Sequence, residues 1–469
     1  MLIFDNTYTS LPDRFYSKTD PAHFSNPSQI IFNTELAEHL NINLDQLTDT
    51  EKAEYFSGQK VFKNAAMISM AYSGHQFGHF NPRLGDGRAI LIGEIKNNRN
   101  ERFDIQLKGA GPSIFSRRGD GFSSLGPVLR EYLVSEAMFH LGVPTTRALC
   151  AVTTGDQVYR EDILPGGVLT RVASSHIRIG TFEYFASRND IEGLKRLTDY
   201  AIDRHYPEVK HSREQIEGLI SAVAQRWAYL VAKWMSLGFI HGVMNTDNMA
   251  ISGETIDFGP CAFMDTFKEN QVYSFIDRNG RYAYNNQINI AKWNLSRFVS
   301  CLLPLLDQSE EKAVEKGNDV LQKLYPIYDE AWLKAMSSKL GIENLLESDV
   351  DLIHKWLSFL ENNQLDFTNS FYKLTYETEF FKHFSGFEEF EQQRIKRTSA
   401  NALGIMTQHN PRVIPRNHLI EEVIKEGVTG KFEKFKELHK LLLKPYGQGE
   451  DETPPPTKNQ VIQNTFCGT

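Results

Sequence analysis

The pattern of hydrophobic and polar positions divides the chain into a β-rich half and a helical half. Short apolar or alternating runs typical of strands occupy residues 88–93, 102–108, 148–159 and 167–171. Between the second and third of these runs, residues 127–141 carry apolar side chains at the spacing of one buried helical face. The first half therefore predicts a sheet with one important helix.

The pattern becomes helical after about residue 190. Residues 216–237 form a long amphipathic helix candidate that Gly238 ends, and helical patterns dominate again from about 287 to 445. Together the halves predict an α+β fold with two lobes, a β-rich N-lobe and a mainly helical C-lobe. The cleft between such lobes is the natural place for a ligand.

The chain of 469 residues is long enough for one large two-lobed enzyme. Residues 447–460 are polar and rich in proline, which favours a flexible segment. We expect an N-terminal arm at 1–60, an N-lobe at 61–165, a C-lobe at 166–446 and a flexible tail at 447–469 that contains Cys467.

Composition and charge argue against several kinds of partner and site. Lys and Arg number 51 against 59 Asp and Glu, and the net charge of −8 argues against nucleic-acid or anionic-membrane partners. The four cysteines lack CxxC spacing, which argues against zinc and fits a reducing compartment. The N-terminus has no basic region before Asp5, and no apolar run is long enough to span a bilayer. We expect a soluble, cytoplasmic protein without nucleic-acid or membrane partners.

The strongest local signal for chemistry is the pair of segments HGVMNTDNM (241–249) and IDFGP (256–260). Protein kinases hold Mg²⁺ with an asparagine of the loop H-R-D-x-x-x-x-N and with the aspartate of D-F-G. His241 and Asn248 have the spacing of that loop, and Asp257 begins a D-F-G nine residues later. The alternative is a turn followed by a capped helix.

The catalytic carboxylate of a kinase is missing from its usual position. Val243 stands two residues after His241, where a kinase has its aspartate, and valine cannot accept a proton. A carboxylate does occur beside Asn248, at Asp247. Asp247 is therefore the candidate base.

Lys108 ends a predicted strand, where the kinase pattern places its nucleotide-binding lysine. The partner glutamate should lie on the next helix, which offers Glu131 and Glu136. Five residues correspond to about 140° around a helix, so the two cannot point the same way. Glu131 lies beside the apolar stripe and is our choice. The alternative is a solvated surface pair.

Two further groups of residues could bind phosphate. Gly85 and Gly87 would let the backbone approach a phosphate, with Arg88 pairing to it, although Asp-Gly also makes plain hairpin turns. Arg171 and Arg178 fall near the expected lobe junction. They could bind phosphate oxygens or form structural ion pairs, and both readings stay open.

The chain resembles the selenoprotein O family, also called YdiU, in long and unusual motifs. These are YSGHQFGHFNPRLGDGRA, QLKGAG, SRRGDG, LREYLVSEAM, LGVPTTRAL, HGVMNTDNM, IDFGPCAFMD, GRYAYNNQ and HNPRVIPRNHLIE. The resemblance extends from about residue 5 to 445. It implies a pseudokinase fold that binds ATP in a flipped orientation and transfers AMP to Ser, Thr or Tyr hydroxyls of proteins, with release of pyrophosphate. Some members are described as transferring UMP from UTP.

The resemblance also implies roles for the matching residues and a divalent cation, Mg²⁺ or Mn²⁺. Lys108 and Glu131 would form the N-lobe ion pair, Asp247 would be the base, and Asn248 and Asp257 would bind the metal. The nucleotide would be lined by Gly85, Gly87, Arg88, Asp120 and Gly121, with Arg171 and Arg178 on its terminal phosphate. The flipped pose gives those arginines a purpose, because it buries the terminal phosphate in the site.

Two other functions compete with a protein adenylyltransferase. An ordinary kinase for proteins or small molecules is opposed by Val243. A catalytically inactive nucleotide-binding scaffold is opposed by the intact set of Lys108, Glu131, Asn248 and Asp257, since a scaffold needs no metal ligands. A redox role for Cys467 would need a partner thiol, which the sequence does not identify, since nothing beyond its position near the D-F-G points to Cys261. The alternative is a chance thiol in the tail.

Overall fold

The computed structural model describes residues 2–449 and 452–466. The strands are β1 Tyr16–Lys18, β2 Ser28–Phe32, β3 Ile68–Met70, β4 Gly74–Gln76, β5 His79–Asn81, β6 Ala89–Lys96, β7 Arg102–Lys108, β8 Ser123–Ser124, β9 Arg147–Tyr159, β10 Ile163–Ala173, β11 Phe239–Ile240 and β12 Ala262–Phe263. The helices are α1 Thr34–His39, α2 Asp49–Ser57, α3 Leu125–His140, α4 Ile179–Ala186, α5 Ile191–His205, α6 Gln215–Leu237, α7 Gln287–Leu306, α8 Glu310–Gln322, α9 Leu324–Lys339, α10 Asp349–Asn362, α11 Phe367–Tyr376, α12 Phe387–Arg397, α13 Ala402–His409, α14 Asn417–Gly427 and α15 Glu433–Leu442.

One antiparallel sheet forms the N-lobe, and its centre positions the site. Its order is β1-β3-β6-β7-β10-β9-β2, with β8 added beside β10. Strand β7 lies between β6 and β10, and Lys108 at its end pairs with Ala89 on one side and Leu169 on the other. Because β7 is paired on both sides, the backbone at Lys108 is fixed and its side chain leaves a defined point of the sheet.

The two main helices follow the predicted periodicity closely. The expected helices at 127–141 and 216–237 are found as α3 and α6. Gly238 ends α6 in the left-handed conformation, with φ 67°, which glycine adopts at little cost. Within the described ranges, no helix is both long and apolar enough to cross a bilayer.

Strand pairing does not follow the expected division of the chain. The boundary expected at residue 165 falls inside β10, which continues to Ala173 and pairs with β7 there. The expected arm also joins the sheet, because Ser28 of β2 pairs with Thr153 of β9. Both segments are hydrogen-bonded into the sheet of the N-lobe and therefore belong to it. Periodicity along one segment cannot reveal which strands pair.

The described part of the tail packs against the C-lobe, in contrast to the flexible segment that its composition predicts. Arg416 donates from Nε to the carbonyl of buried Thr453 at 2.8 Å. Thr465 donates its backbone N–H to the carbonyl of Tyr273 at 2.7 Å. Cys467 lies outside the described residues. Burial raises the pKa of the Cys261 thiol to about 11, which keeps this thiol protonated at neutral pH.

Three buried clusters hold these elements together. The largest fills the C-lobe around Trp227, Trp234 and Trp356. A second lies between the sheet and helices α1 and α2. The third joins α3 and the sheet to α14 and α15, with Tyr132 of α3 beside Phe435 of α15 at 5.7 Å between ring centroids. Helix α3 is therefore supported by the end of the C-lobe.

We expect Phe435→Ala to lower the free energy of unfolding by about 3–5 kcal/mol, because it leaves a cavity under α3. Phe435 is fully buried, whereas Phe466 is 62% exposed and provides the matched control as Phe466→Ala. Urea unfolding followed by circular dichroism measures both variants. Equal midpoints for the two would contradict the support of α3 by α15.

Candidate functional site

A cavity of about 410 Å³ lies between the sheet and the C-lobe. Most of the residues singled out in the sequence line it, namely Gly87, Arg88, Lys108, Glu131, Arg171, Arg178, Asp247, Asn248 and Asp257. Three others, Gly85, Asp120 and Gly121, are not among its lining residues. The structure thus brings together residues that are up to 170 positions apart in the chain.

Asp257 is the centre of the site. Its Oδ1 accepts hydrogen bonds from Lys108 Nζ and from Arg171 at 2.7 Å each, and its Oδ2 accepts one from Arg178 at 2.7 Å. These three cations offset the desolvation of the buried carboxyl and hold the pKa of Asp257 well below its ordinary value. Asp257 also has a positive φ of 64°, an uncommon backbone conformation for a residue other than glycine.

Glu131 shares two of these cations. Its Oε2 accepts a hydrogen bond from Lys108 Nζ at 2.5 Å, and its Oε1 accepts one from Arg171 at 3.2 Å. Glu136 points elsewhere on α3 and pairs with Arg147 at 2.7 Å. The Lys–Glu pair therefore lies inside the cleft, in contact with Asp257.

The two arginines are buried and come from adjacent elements. Arg171 on β10 is 1% exposed and donates to Gln106 Oε1 of β7 at 2.6 Å. Arg178 precedes α4, donates to the carbonyl of Asp247 at 2.6 Å and lies over the ring of Tyr72 at 4.8 Å. The Nε atoms of both arginines are buried without a hydrogen-bond partner in the described residues.

The charges that line the cavity leave it suited to an anion. The lining cations are Arg88, Lys108, Arg117, Arg171 and Arg178, and the lining carboxyls are Asp86, Glu131, Asp247 and Asp257. Burial raises the pKa of Asp86 and of Asp247 to about 6, which weakens their negative charge in slightly acidic conditions. A polyphosphate fits this excess of positive charge.

Asp247 lines the cavity with one of its two carboxylate oxygens unpaired among the described residues. Its Oδ2 accepts a hydrogen bond from Gln76 Nε2 at 3.2 Å, while its Oδ1 is buried without a partner in the described residues. With a pKa near 6, most of this carboxylate is ionised at neutral pH and its free oxygen can take a proton. Val243 lines the same cavity and contributes no ionisable group.

Asn248 and Asp257 are the residues that could hold a divalent cation. Asn248 donates from Nδ2 to the carbonyl of Val243 at 2.9 Å, which leaves its Oδ1 as an acceptor. Mg²⁺ in nucleotide enzymes takes one or two protein oxygens and completes its shell with phosphates and water. This donor set fits such a cation. Within the described ranges, no group of three or more His, Cys, Asp or Glu side chains could hold a metal by itself.

The residues that fall outside the cavity have structural contacts instead. A Cβ on Gly85, with φ 65°, would come within 2.3 Å of the Phe115 ring, so glycine is needed there for packing. Asp120 pairs with Arg160 at 2.7 Å on the surface. Gly121, with φ 73°, lies against the backbone of Gly111. These three positions shape the loop that follows β7.

The hairpin of β4 and β5 was missed by sequence reasoning, although its motif GHQFGH was conspicuous. His75 donates its backbone N–H to Thr246 Oγ1 at 2.7 Å, and its Nδ1 lies 2.5 Å from Glu183 Oε1. Glu183 in turn accepts from Thr246 Oγ1 at 2.5 Å. Gln76 between these anchors reaches Asp247. The hairpin therefore fixes the loop that contains Thr246 and orients the Asp247 carboxylate.

Arg130 was also missed, because its neighbour Glu131 carried the recognisable pattern. Arg130 donates to the carbonyl of Gly259 at 2.8 Å and to that of Cys261 at 2.5 Å. It also lies 3.4 Å from Glu421 of α14. This side chain links α3 to the segment that carries Asp257, and so holds Glu131 and Asp257 in a fixed relative position.

The site combines a Lys–Glu pair beneath a β-rich lobe with asparagine and aspartate loops on the facing helical lobe. This combination defines a protein-kinase-like enzyme of nucleotide-dependent group transfer. The chain belongs to the SelO family, because the family model described as "Protein adenylyltransferase SelO" matches residues 1–443. It is accordingly a protein nucleotidyltransferase.

Curated relatives match along their whole length. The chain is 48% identical to a protein named "Protein nucleotidyltransferase YdiU" from Agrobacterium fabrum, with 100% of both chains covered. A protein of the same name from Rhizobium etli is 47% identical, with 99% of this chain and 97% of the relative covered. Another from Bacillus cereus is 46% identical, with 99% and 98% covered.

We expect Gln76→Leu to raise the pKa of Asp247 above its value of about 6, because the amide hydrogen bond stabilises the ionised carboxylate. Nuclear magnetic resonance titration of ¹³C-labelled aspartate carboxyls measures the shift, and Asp247→Asn assigns the signal. Gln225→Leu, on the exposed face of α6, is the matched control and should leave the titration unchanged. An unshifted signal in Gln76→Leu would contradict the contact.

Proposed function

We propose that the chain transfers AMP from ATP to Ser, Thr or Tyr hydroxyls of protein substrates and releases pyrophosphate. The observation that carries this proposal is the placement of Arg171 and Arg178, which are both buried and both bound to Asp257. Transfer of AMP requires the β- and γ-phosphates to lie deep in the site as the leaving group. Two buried arginines supply the positive charge that this orientation needs.

The reaction assigns one role to each charged group. The Asp247 carboxylate accepts the proton of the acceptor hydroxyl, whose oxygen forms a bond to the α-phosphorus. The bond between the α-phosphorus and the bridging oxygen breaks, and pyrophosphate leaves with the electron pair. Arg171, Arg178 and Lys108 stabilise the charge that develops on pyrophosphate. Gly87 and Arg88, which line the cavity, contact the nucleotide.

Asn248 and Asp257 would bind Mg²⁺ or Mn²⁺ together with the phosphates. When bound, the cation neutralises phosphate charge. Both oxygens of Asp257 already accept hydrogen bonds, but an ionised carboxylate has about four lone-pair sites and can serve a cation as well. The same phosphate contacts suit UTP, so transfer of UMP is the variant of this reaction that also needs testing.

Two other functions, an ordinary kinase and an inactive scaffold, fit these residues less well. An ordinary kinase would need a carboxylate at Val243, and the structure places a buried valine there. An inactive scaffold would not need Asp247, whose buried and unpartnered Oδ1 is costly to maintain. Both observations favour the transfer of AMP.

We expect ATP labelled on the α-phosphate, but not on the γ-phosphate, to label protein in the presence of Mg²⁺ or Mn²⁺. Asp257→Ala should abolish labelling, since it removes a metal ligand and the partner of three cations. Asp351→Ala, on the exposed face of α10, is the matched control and should stay active. Labelling from the γ-phosphate alone would identify a kinase. The absence of both labelled protein and released pyrophosphate would identify a scaffold.

Arg178→Met tests the orientation of the nucleotide. If the terminal phosphates lie against Arg178, this variant should weaken ATP binding by about tenfold or more and AMP binding much less. Isothermal titration calorimetry with both nucleotides measures the difference. Arg188→Met removes an exposed arginine ten residues away and should change neither affinity. An equal loss for ATP and AMP would contradict the flipped pose.

A further inference from the structure

A second concave surface lies on the C-lobe, away from the nucleotide cleft. Its volume of about 770 Å³ exceeds that of the cleft. Helices α9 and α10 form its walls, together with the segment that runs from Phe267 to Ile288. We call this surface the C-lobe groove. Its apolar lining includes Trp332, Leu333, Leu345, Leu346, Val350 and Leu357.

The apolar lining of the C-lobe groove is not covered by the described part of the chain. Leu346 is 50% exposed, and the other apolar side chains named above are all partly exposed. A contiguous apolar surface in a concavity marks a contact site more often than isolated exposed leucines do. The lining of large, partly exposed side chains is suited to apolar anchors of another chain.

Carboxylates surround this apolar lining. The acidic residues of the C-lobe groove are Glu269, Asp329, Glu330, Glu347 and Glu361, and no lysine or arginine lines it. None of the five makes an ion pair with another described residue. Besides Glu361, the described part of α10 contributes the titratable side chain of His354 to the groove, with its ring centroid 5.5 Å from that of Trp332. The groove therefore presents unneutralised negative charge around an apolar centre.

The C-lobe groove and the nucleotide cleft share one segment of chain. Between β12 and α7, Ile276 lines the cleft, while Glu269 and Tyr284 line the groove. Glu269 and Glu361 of α10 are in contact, with a backbone N–H to Oε1 distance of 3.4 Å. A protein held in the groove would thus contact the same segment that contributes Ile276 to the cleft.

We propose that the C-lobe groove docks protein substrates through a short apolar segment flanked by lysine and arginine. Apolar anchors would fill the lining and the basic flanks would pair with the five carboxylates. The inference rests on the proposed function, since it supplies recognition of the protein acceptor in that reaction.

Other occupants fit the C-lobe groove less well. The chain's own tail is acidic at residues 450–452, and its described part packs against Ile414 and Tyr273 instead. A second copy of the chain carries the same net charge of −8, which opposes approach to an acidic surface. A basic segment of another protein has the complementary charge.

The test uses a fluorescein-labelled peptide with two leucines flanked by arginines, and a counterpart with glutamates in place of the arginines. Fluorescence anisotropy should show binding of the basic peptide only. Leu346→Asp and Glu347→Lys should each weaken its Kd by about tenfold or more. Ile395→Asp and Glu437→Lys, both exposed outside the groove, are the matched controls and should bind like the unchanged protein.

A second measurement separates this proposal from the proposed function. When a serine is added to the basic peptide, transfer of α-labelled AMP should show a raised KM and unchanged kcat in Glu347→Lys. If the basic peptide binds through the C-lobe groove but receives no AMP, the docking site is supported and the proposed function is contradicted. If AMP transfer has the same KM and kcat in both groove variants as in the unchanged protein, the docking site is contradicted and the proposed function stands.

Three results would overturn the docking site. The first is failure of the unchanged protein to bind the basic peptide, and the second is equal binding of the acidic counterpart. The third is a change in sedimentation showing that the groove variants disrupt a dimer, which would assign the surface to a second copy. Thermal unfolding midpoints within about 2 °C of the unchanged protein would confirm that Leu346→Asp and Glu347→Lys are folded.

Discussion

Asp257 accepts hydrogen bonds from three cations that belong to three different elements of the structure. Lys108 comes from the end of β7, Arg171 from β10 and Arg178 from the start of α4, while Asp257 itself lies on the C-lobe. Breaking a buried pair of this kind costs about 3–5 kcal/mol, because an unpaired charge is left without water. The position of the sheet on the C-lobe and the charge of the nucleotide cleft therefore depend on the same contacts. Glu131 joins this cluster from α3 and makes the helix part of it.

The cluster needs α3 in one position, and much of the chain after the cleft contributes to that. Arg130 fixes α3 to the carbonyls of Gly259 and Cys261, and α14 and α15 cover its outer face. The hairpin of β4 and β5 has the same role for the loop that carries Asp247 and Asn248, through Thr246 and Gln76. A site that transfers a charged group benefits from such support, because donors that are already oriented need no reorganisation during the reaction.

The electrostatics of the cleft and of the C-lobe groove are opposite in sign. The cleft gathers arginines and a lysine around a small space suited to phosphates, whereas the C-lobe groove surrounds apolar side chains with carboxylates. One enzyme with two kinds of substrate, a nucleotide and a protein, needs two surfaces of different chemistry. The segment between β12 and α7 borders both.

The sequence by itself determined the two-lobed α+β architecture, the main helices, the strand that ends at Lys108 and the loops of Asn248 and Asp257. These features follow from periodicity and from spacing within single segments. Only the tertiary structure decided that β10 crosses the expected lobe boundary, that Gly85 and Asp120 lie outside the cavity, and that Gln76 and Arg130 support the site. The reason is physical: local sequence fixes which way a side chain leaves its own element, whereas its partners depend on how elements far apart in the chain pack together.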